Sequence, residues 1–363
     1  MKAAVLREIK QPLTIEDVYL DAPGPDEVRI RVVSSGLCHS DYHSISGDFP
    51  VPMPAVLGHE AAGVVEAVGS DVTEFKKGDE VVTCVSQYCG HCRECLDGHN
   101  NVCGNKPTSR LDDGPARITR GSEVFTQYAG LGAFAEEMLI HRTGLTKIPE
   151  GMPLEKAGLL GCAVLTGVGA ALNGAQVKPG STVVVIGCGG VGLNAIQGAM
   201  LSGAGIIIAA DILDNKLEMA KTFGATHTIN TATDNDPAKK VKQIAGGLGV
   251  DYSFDAVSVD KTQALAFDAL APGGHAVAVG ISAATVRAQY SPMMMVFGEK
   301  TMSGTFYGSV RPNLDFPILV DHYMEKRLNI DGLISRTYKL DEINDGFKRM
   351  MAGEVARGVV VFD

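Results

Sequence analysis

The chain has 363 residues, 45% of them apolar and 20% charged, with a formal net charge of −10. That length exceeds one ordinary core and falls short of three domains, so two are expected. The acidic balance offers no electrostatic footprint for nucleic acid or an anionic membrane surface, and no uninterrupted apolar run approaches the ~20 residues that cross a bilayer. Neither partner is therefore expected.

The opening stretch MKAAVLREIK is broken by Arg7 and Glu8 and lacks the long apolar region and cleavage site of a secretory signal, which points to the cytoplasm. From Lys2 to about residue 160, short β-branched runs (EVRIRVVS, AGVVEAVG, DEVVTCV) are broken by Gly and Pro and read as strands of an irregular β-rich domain. Within it the polar residues 106–127 read as one long loop. Between about 164 and 305 short apolar strands alternate with helical stretches: TVVVIG, IIIAAD, HTIN, YSFDAV and HAVAVG. Apolar strands separated by helices indicate a doubly wound parallel sheet covered on both faces. The last 55 or so residues revert to mixed elements and end in GVVVFD, a strand expected to return to the first domain. The expected division is thus 1–163, an inserted domain at 164–305, and a return at 306–363.

The strand Thr182–Ile186 runs into Gly187-Cys188-Gly189-Gly190-Val191-Gly192, a G-x-G-x-x-G string opening a helix. Gly187 permits the tight turn, Gly189 lets the backbone approach a pyrophosphate, and Gly192 allows close helix–strand packing. Such a string alone is weak. Here the next strand ends at Asp211, 19 residues past Gly192, where an acid can accept bonds from both ribose hydroxyls and repel a 2′-phosphate. An NAD site is favoured over NADP, and over a turn that serves packing only.

Of the eight cysteines, Cys89, Cys92, Cys95 and Cys103 form C-x2-C-x2-C-x7-C. Four thiolates at that spacing can close a tetrahedral shell around a structural zinc. An iron–sulfur cluster also uses C-x2-C-x2-C, but its fourth cysteine usually comes sooner and precedes proline, whereas Gly104 follows Cys103. Zinc is the better fit, with a cluster or unliganded thiols as the alternatives.

Cys38 (GLCHSD), His59 (GHE) and Cys162 (GC) lie far apart in sequence. Together they would leave one coordination position open, the layout of a catalytic zinc. Taken singly, a buried cysteine or histidine has an ordinary structural reading.

In combination, GLCHSDYHSISG, VLGHEAAGVVEAVG, the four-cysteine loop, GLLGCAVLTG and VVVIGCGGVGLNAIQGA resemble the zinc-containing medium-chain alcohol dehydrogenases, in order and over essentially the whole chain. The resemblance implies an α/β protein with a GroES-like β-rich catalytic domain carrying both zinc sites and an inserted Rossmann domain. It implies a catalytic zinc on Cys38, His59 and Cys162, with Glu60 behind the metal and Asp41 bonded to the zinc histidine. Ser40 and His43 match the residues that carry the alcohol proton outward. His39 and Arg357 match basic residues near the cofactor pyrophosphate, Thr166 and Val191 side chains against the nicotinamide, and Lys216 one near the adenosine ribose. The implied activity is reversible hydride transfer between a primary alcohol and NAD, with two zinc ions per chain.

Val85, Tyr128, Ala129 and Met294 match the substrate channel. Ethanol-active animal members usually carry Phe at the position of Val85 and Leu at Ala129, so medium-chain or benzylic alcohols are expected. The long loop resembles that of dimeric members, so a homodimer is expected. Glutathione-dependent formaldehyde dehydrogenases are the nearest alternative, but they carry an arginine where this chain has Pro107. Polyol dehydrogenases usually place Glu where Cys162 stands. A nicotinamide-binding protein without zinc chemistry would lack the metal ligands, and all seven positions are filled here. Cys84 and Cys188 are left as small buried fillers.

Overall fold

The computed structural model describes residues 1–107 and 116–363. They divide into two compact units, Met1–Cys162 with Arg311–Asp363, and Ala163–Val310.

The first unit is β-rich. Its longest strand, Glu27–Gly36, alternates Val28, Ile30 and Val32, all buried, with Arg29 and Arg31, which pair outward with Glu137 and Glu66. The strand is gripped by three antiparallel partners, Ala61–Val68, Glu137–His141 and Arg357–Val361. The last of these lies in the GVVVFD tail, which joins the first unit's sheet. A second sheet centres on Lys2–Leu6, whose AAVL residues are all buried.

Residues 106–127 are not the single loop expected. Those at 108–115 lie outside the described residues, but Ile118–Arg120 and Glu123–Gln127 form an antiparallel hairpin with Ile118 opposite Phe125. Both of those side chains are buried, while Arg120 and Glu123 face outward and bind Glu16 and Arg7. One inward residue per short strand is too sparse an alternation to stand out against polar neighbours.

The second unit holds six parallel strands. Numbered by their order in the chain, they lie 3-2-1-4-5-6, the doubly wound order of dinucleotide-binding domains. Thr182–Ile186 and Ile206–Asp211 sit centrally and are apolar because both faces are covered. Thr301–Gly304 is an edge strand that the sequence did not reveal, since TMSG is short, polar and mostly exposed. Among the described residues no single helix is long and apolar enough to cross a membrane.

Candidate metal centres and dinucleotide turn

Cys38 leaves the strand Glu27–Gly36 in an extended conformation and caps the helix His39–Ser46. His59 and Glu60 follow Gly58, whose φ of +94° and approach to Phe134 (an added Cβ would lie 2.5 Å from its backbone N) admit no other residue without strain. Cys162 ends the tight turn Gly158–Gly161. These elements bring donor atoms of Cys38, His59, Glu60 and Cys162 within 4.8 Å of one another, all buried. Gly36 leaves the room this needs, because a Cβ there would lie 2.6 Å from Glu60 Oε2.

Asp41 is fully buried. Its Oδ1 accepts from the Gly58 amide at 3.0 Å and lies 3.0 Å from His59 Nδ1. That contact directs Nε2 toward the thiols, the arrangement that fixes a metal-binding tautomer. Burial pushes the Asp41 carboxyl above its ordinary range, offset in part by His59. Burial opposes protonation of His59, but Asp41 and Cys38 outweigh it and raise the imidazole well above its usual value. A hydrogen bond with Cys162 and the charge of His59 hold Cys38 well below the thiol range despite burial, while the same contact and burial push Cys162 well above it. Burial lifts Glu60 to about 7 against the pull of Arg357.

A divalent cation fits this donor set. Glu60, one of the four clustered residues, keeps its Oε2 buried without a hydrogen-bond partner, and two soft thiols with one imidazole match zinc. Arg357, expected near a pyrophosphate, is buried and donates from Nη2 to Glu60 Oε1. That partnership, across 297 residues, left no mark in the sequence pattern. Ser40 Oγ lies 3.8 Å from Cys38 Sγ. His43, one turn on, has Nδ1 3.2 Å from Asp48 Oδ2 and its ring 4.9 Å from Phe49. His39 is exposed at the helix start.

The four clustered cysteines also converge. Their Sγ atoms lie 3.7 Å (Cys89–Cys103), 3.8 Å (Cys92–Cys103) and 4.0 Å (Cys89–Cys95) apart. Zn–S bonds of ~2.3 Å in a tetrahedron require sulfurs about 3.8 Å apart, so a zinc fits without rearrangement. Amides of Cys89 and Cys92 point at Cys103 Sγ and Cys89 Sγ at 3.4 Å, as thiolate acceptors want. Tyr88 moors the loop through Thr143 Oγ1 and Asn313.

In the second unit Gly187 has φ +88°, and a Cβ on Gly192 would fall 1.7 Å from Gly187 O. A Cβ on Gly189 would meet nothing within 4 Å, leaving the backbone open to a ligand. Asp211 Oδ2 accepts from Cys188 N at 2.7 Å and Oδ1 from Leu213 N at 3.0 Å, which ties the strand end to the glycine turn. Val191 and Lys216 are half-buried and Thr166 is buried on the helix Ala163–Gly169. Burial, with Asp211 nearby, pushes the Cys188 thiol up to about 12, so it stays a neutral filler. Cys84 is fully buried.

Of the expected channel residues, Tyr128 stands edge-on to the His59 ring at 5.9 Å and 73°. Burial raises its phenol above the ordinary value, so it remains a donor. Val85 packs half-buried against a core cluster of the first unit. Ala129 is exposed in a left-handed turn (φ +54°), and Met294 is exposed on the helix Pro292–Phe297 of the second unit.

Residues 24–150 match the alcohol dehydrogenase GroES-like domain family and residues 190–324 the zinc-binding dehydrogenase family. Among solved structures, an alcohol dehydrogenase zinc-binding domain protein from Burkholderia ambifaria is 34% identical, with 100% of this chain and 98% of that one covered and a TM-score of 0.95. Benzyl alcohol dehydrogenase from Acinetobacter calcoaceticus is 33% identical over 100% and 99%, at 0.94. A protein described as a zinc-binding dehydrogenase from Sinorhizobium meliloti 1021, bound to NADP, is 25% identical over 99% of each chain, at 0.82. The chain therefore belongs to the zinc-binding medium-chain alcohol dehydrogenases, oxidoreductases that join a GroES-like domain to a Rossmann domain.

Proposed function

We propose that the chain is an NAD-dependent alcohol dehydrogenase with a catalytic and a structural zinc, acting on medium-chain or benzylic primary alcohols and their aldehydes. The observation that carries this reading is the buried convergence of Cys38, His59 and Cys162, with Asp41 behind the histidine. When bound there, zinc supplies Lewis-acid polarisation of an alcohol oxygen, and the nicotinamide accepts the hydride. Cys38, His59 and Cys162 would hold the ion, and Asp41 fixes the imidazole that faces it. Arg357 holds Glu60 in reserve through Oε1. Ser40 Oγ takes the alcohol proton, and His43, on the same helix face and paired with Asp48, passes it to solvent. His39 and Arg357 toward the pyrophosphate, Thr166 and Val191 toward the nicotinamide, and Lys216 toward the ribose complete the assignment. We place the enzyme in the cytoplasm, where six of its eight thiols, all free of disulfides, can serve as ligands.

At Val85 a smaller side chain than the Phe of ethanol-active relatives leaves room for a ring or longer chain. The likeness to a benzyl alcohol dehydrogenase supports it. Each buried methylene adds about 0.8 kcal/mol, so hexanol and benzyl alcohol should exceed ethanol in kcat/KM by roughly ten- to a hundred-fold. Val85→Phe should narrow that gap. Ala129→Leu is a poorer probe, because a larger residue at φ +54° adds backbone strain of its own. NADH absorbance with the three alcohols decides: ethanol as best substrate, or a ranking untouched by Val85→Phe, refutes the enlarged pocket. Absence of NADH formation with any alcohol refutes the dehydrogenase.

We propose a homodimer in which outer strands of two nucleotide-binding units meet. Support comes from the edge strand Thr301–Gly304 and the nearby apolar Val296 and Phe297, 74% and 81% exposed. Light scattering should give twice the 38.2 kDa chain mass; a monomer or tetramer counts against it.

A further inference from the structure

We infer that Tyr128 is a positioning residue, which sets the plane of the His59 imidazole and the backbone of Ser40 together, rather than a wall of the substrate channel. The inference rests on the metal centre proposed above.

The hydrogen bond between His59 Nδ1 and Asp41 fixes one edge of the imidazole but not the tilt of the ring plane about that bond. The Tyr128 ring, edge-on at 5.9 Å and 73°, blocks that tilt from a second direction. Its hydroxyl reaches past the histidine to donate to the Ser40 carbonyl at 3.2 Å. One side chain therefore spans the candidate ligand and the candidate proton acceptor, which are 19 residues apart in the chain.

The segment that carries Tyr128 is built to stay in place. Gln127 Nε2 donates to Leu131 O at 2.6 Å and Leu139 O at 2.7 Å, closing the turn around Tyr128. Gln127 Oε1 accepts from Arg117 Nη1 at 2.9 Å, and Arg117 is in turn bonded to Glu27 at 2.7 Å in a buried ion pair. This clamp holds Ala129 in its left-handed conformation, which a loose loop would relax. Gly132, at φ +61°, leaves space for the Gln127 side chain, since a Cβ there would lie 2.9 Å from its Cγ.

The test compares Tyr128→Phe, which keeps the ring and removes the hydroxyl, with Tyr128→Leu, which removes both. Each is measured by steady-state kinetics on ethanol, hexanol and benzyl alcohol, and by the visible spectrum of the cobalt-substituted protein. Tyr128→Phe should lower kcat by about five-fold, the size of one neutral hydrogen bond, equally on all three alcohols and with KM little changed. Its cobalt bands should stay near those of the unaltered protein. Tyr128→Leu should lower kcat further and shift the cobalt bands, because the imidazole is free to tilt. Unchanged kcat and spectrum in both variants overturn the inference. So does a change in KM that depends on alcohol size with kcat intact, which marks a channel wall. If Cys38→Ser, which leaves the four-cysteine loop intact, shows the same cobalt bands as the unaltered protein, the metal centre itself is wrong and the inference falls with it. Tyr128→Phe preserves ring volume, so the comparison stands even where Tyr128→Leu folds poorly.

Discussion

Cys38→Ser and His59→Ala are each expected to lower kcat/KM by about a thousand-fold or more, with the melting temperature and NADH binding close to those of the unaltered protein. The ion's charge stabilisation of the developing alkoxide is worth several kcal/mol, and each 1.36 kcal/mol is ten-fold in rate. With only three protein donors and a carboxylate held by Arg357, loss of one leaves a site that no longer retains or centres the metal. The fold should survive, because Cys38 sits between a strand with three antiparallel partners and a helix start, neither of which depends on the ion. Cys92→Ser should behave oppositely. Its loop buries little of its own: Leu96 is 77% and Val102 50% exposed, so the four thiolates and their ion must supply what a core would. That variant should melt earlier and lose its second zinc, yet turn over near normally at low temperature. Metal content by mass spectrometry, thermal melts and kcat/KM separate the two sites. Near-normal activity in Cys38→Ser would mean the open metal site is wrongly assigned.

Local patterns carried most of the fold. Runs such as TVVVI and IIIAA announce buried parallel strands because both faces are covered, and the glycine spacing of residues 187–192 encodes a turn whose constraints, φ +88° at Gly187 and no space at Gly192, are the ones the structure displays. The cysteine quartet was legible for the same reason: fifteen consecutive residues contain the whole shell. The other metal centre was not, since Cys38, His59 and Cys162 acquire meaning only when distant strands meet, and the resemblance to a family supplied what spacing could not. Arg357 and Glu60, or Tyr128 and Ser40, are pairs across 297 and 88 residues. No periodicity links them, so an arginine and a tyrosine assigned to ligands proved to have protein partners as well. The hairpin at 118–127 and the strand Thr301–Gly304 escaped because short edge strands expose most of their side chains and so lack an apolar alternation.

The unaltered protein is expected to prefer NAD over NADP by about a hundred-fold or more in kcat/KM, and Asp211→Gly to bring the ratio near or below unity. The fold alone does not decide this, as the Sinorhizobium meliloti relative binds NADP. Asp211 stands at the end of the second strand in chain order, with each carboxylate oxygen already accepting one amide, from Cys188 and Leu213. Those bonds fix the carboxylate's orientation and leave lone pairs for ribose hydroxyls. A hydrogen bond to a charged acceptor contributes about 1.5–3 kcal/mol, or roughly ten- to a hundred-fold per bond, so its loss should weaken NAD by that factor. A 2′-phosphate brought to the same place meets like charge, and removing the carboxylate relieves it. The glycine variant also frees the Cys188 amide and so loosens the turn. Asp211→Asn separates the effects, because the amide keeps an acceptor at similar size without the charge. It should lose most of the discrimination against NADP while retaining more NAD activity than Asp211→Gly. The measurement is the ratio of kcat/KM for the two cofactors in all three proteins, with one alcohol at fixed pH and ionic strength. Equal use of both cofactors by the unaltered protein, or an unchanged ratio in Asp211→Asn, would show that a group other than this carboxylate reads the ribose.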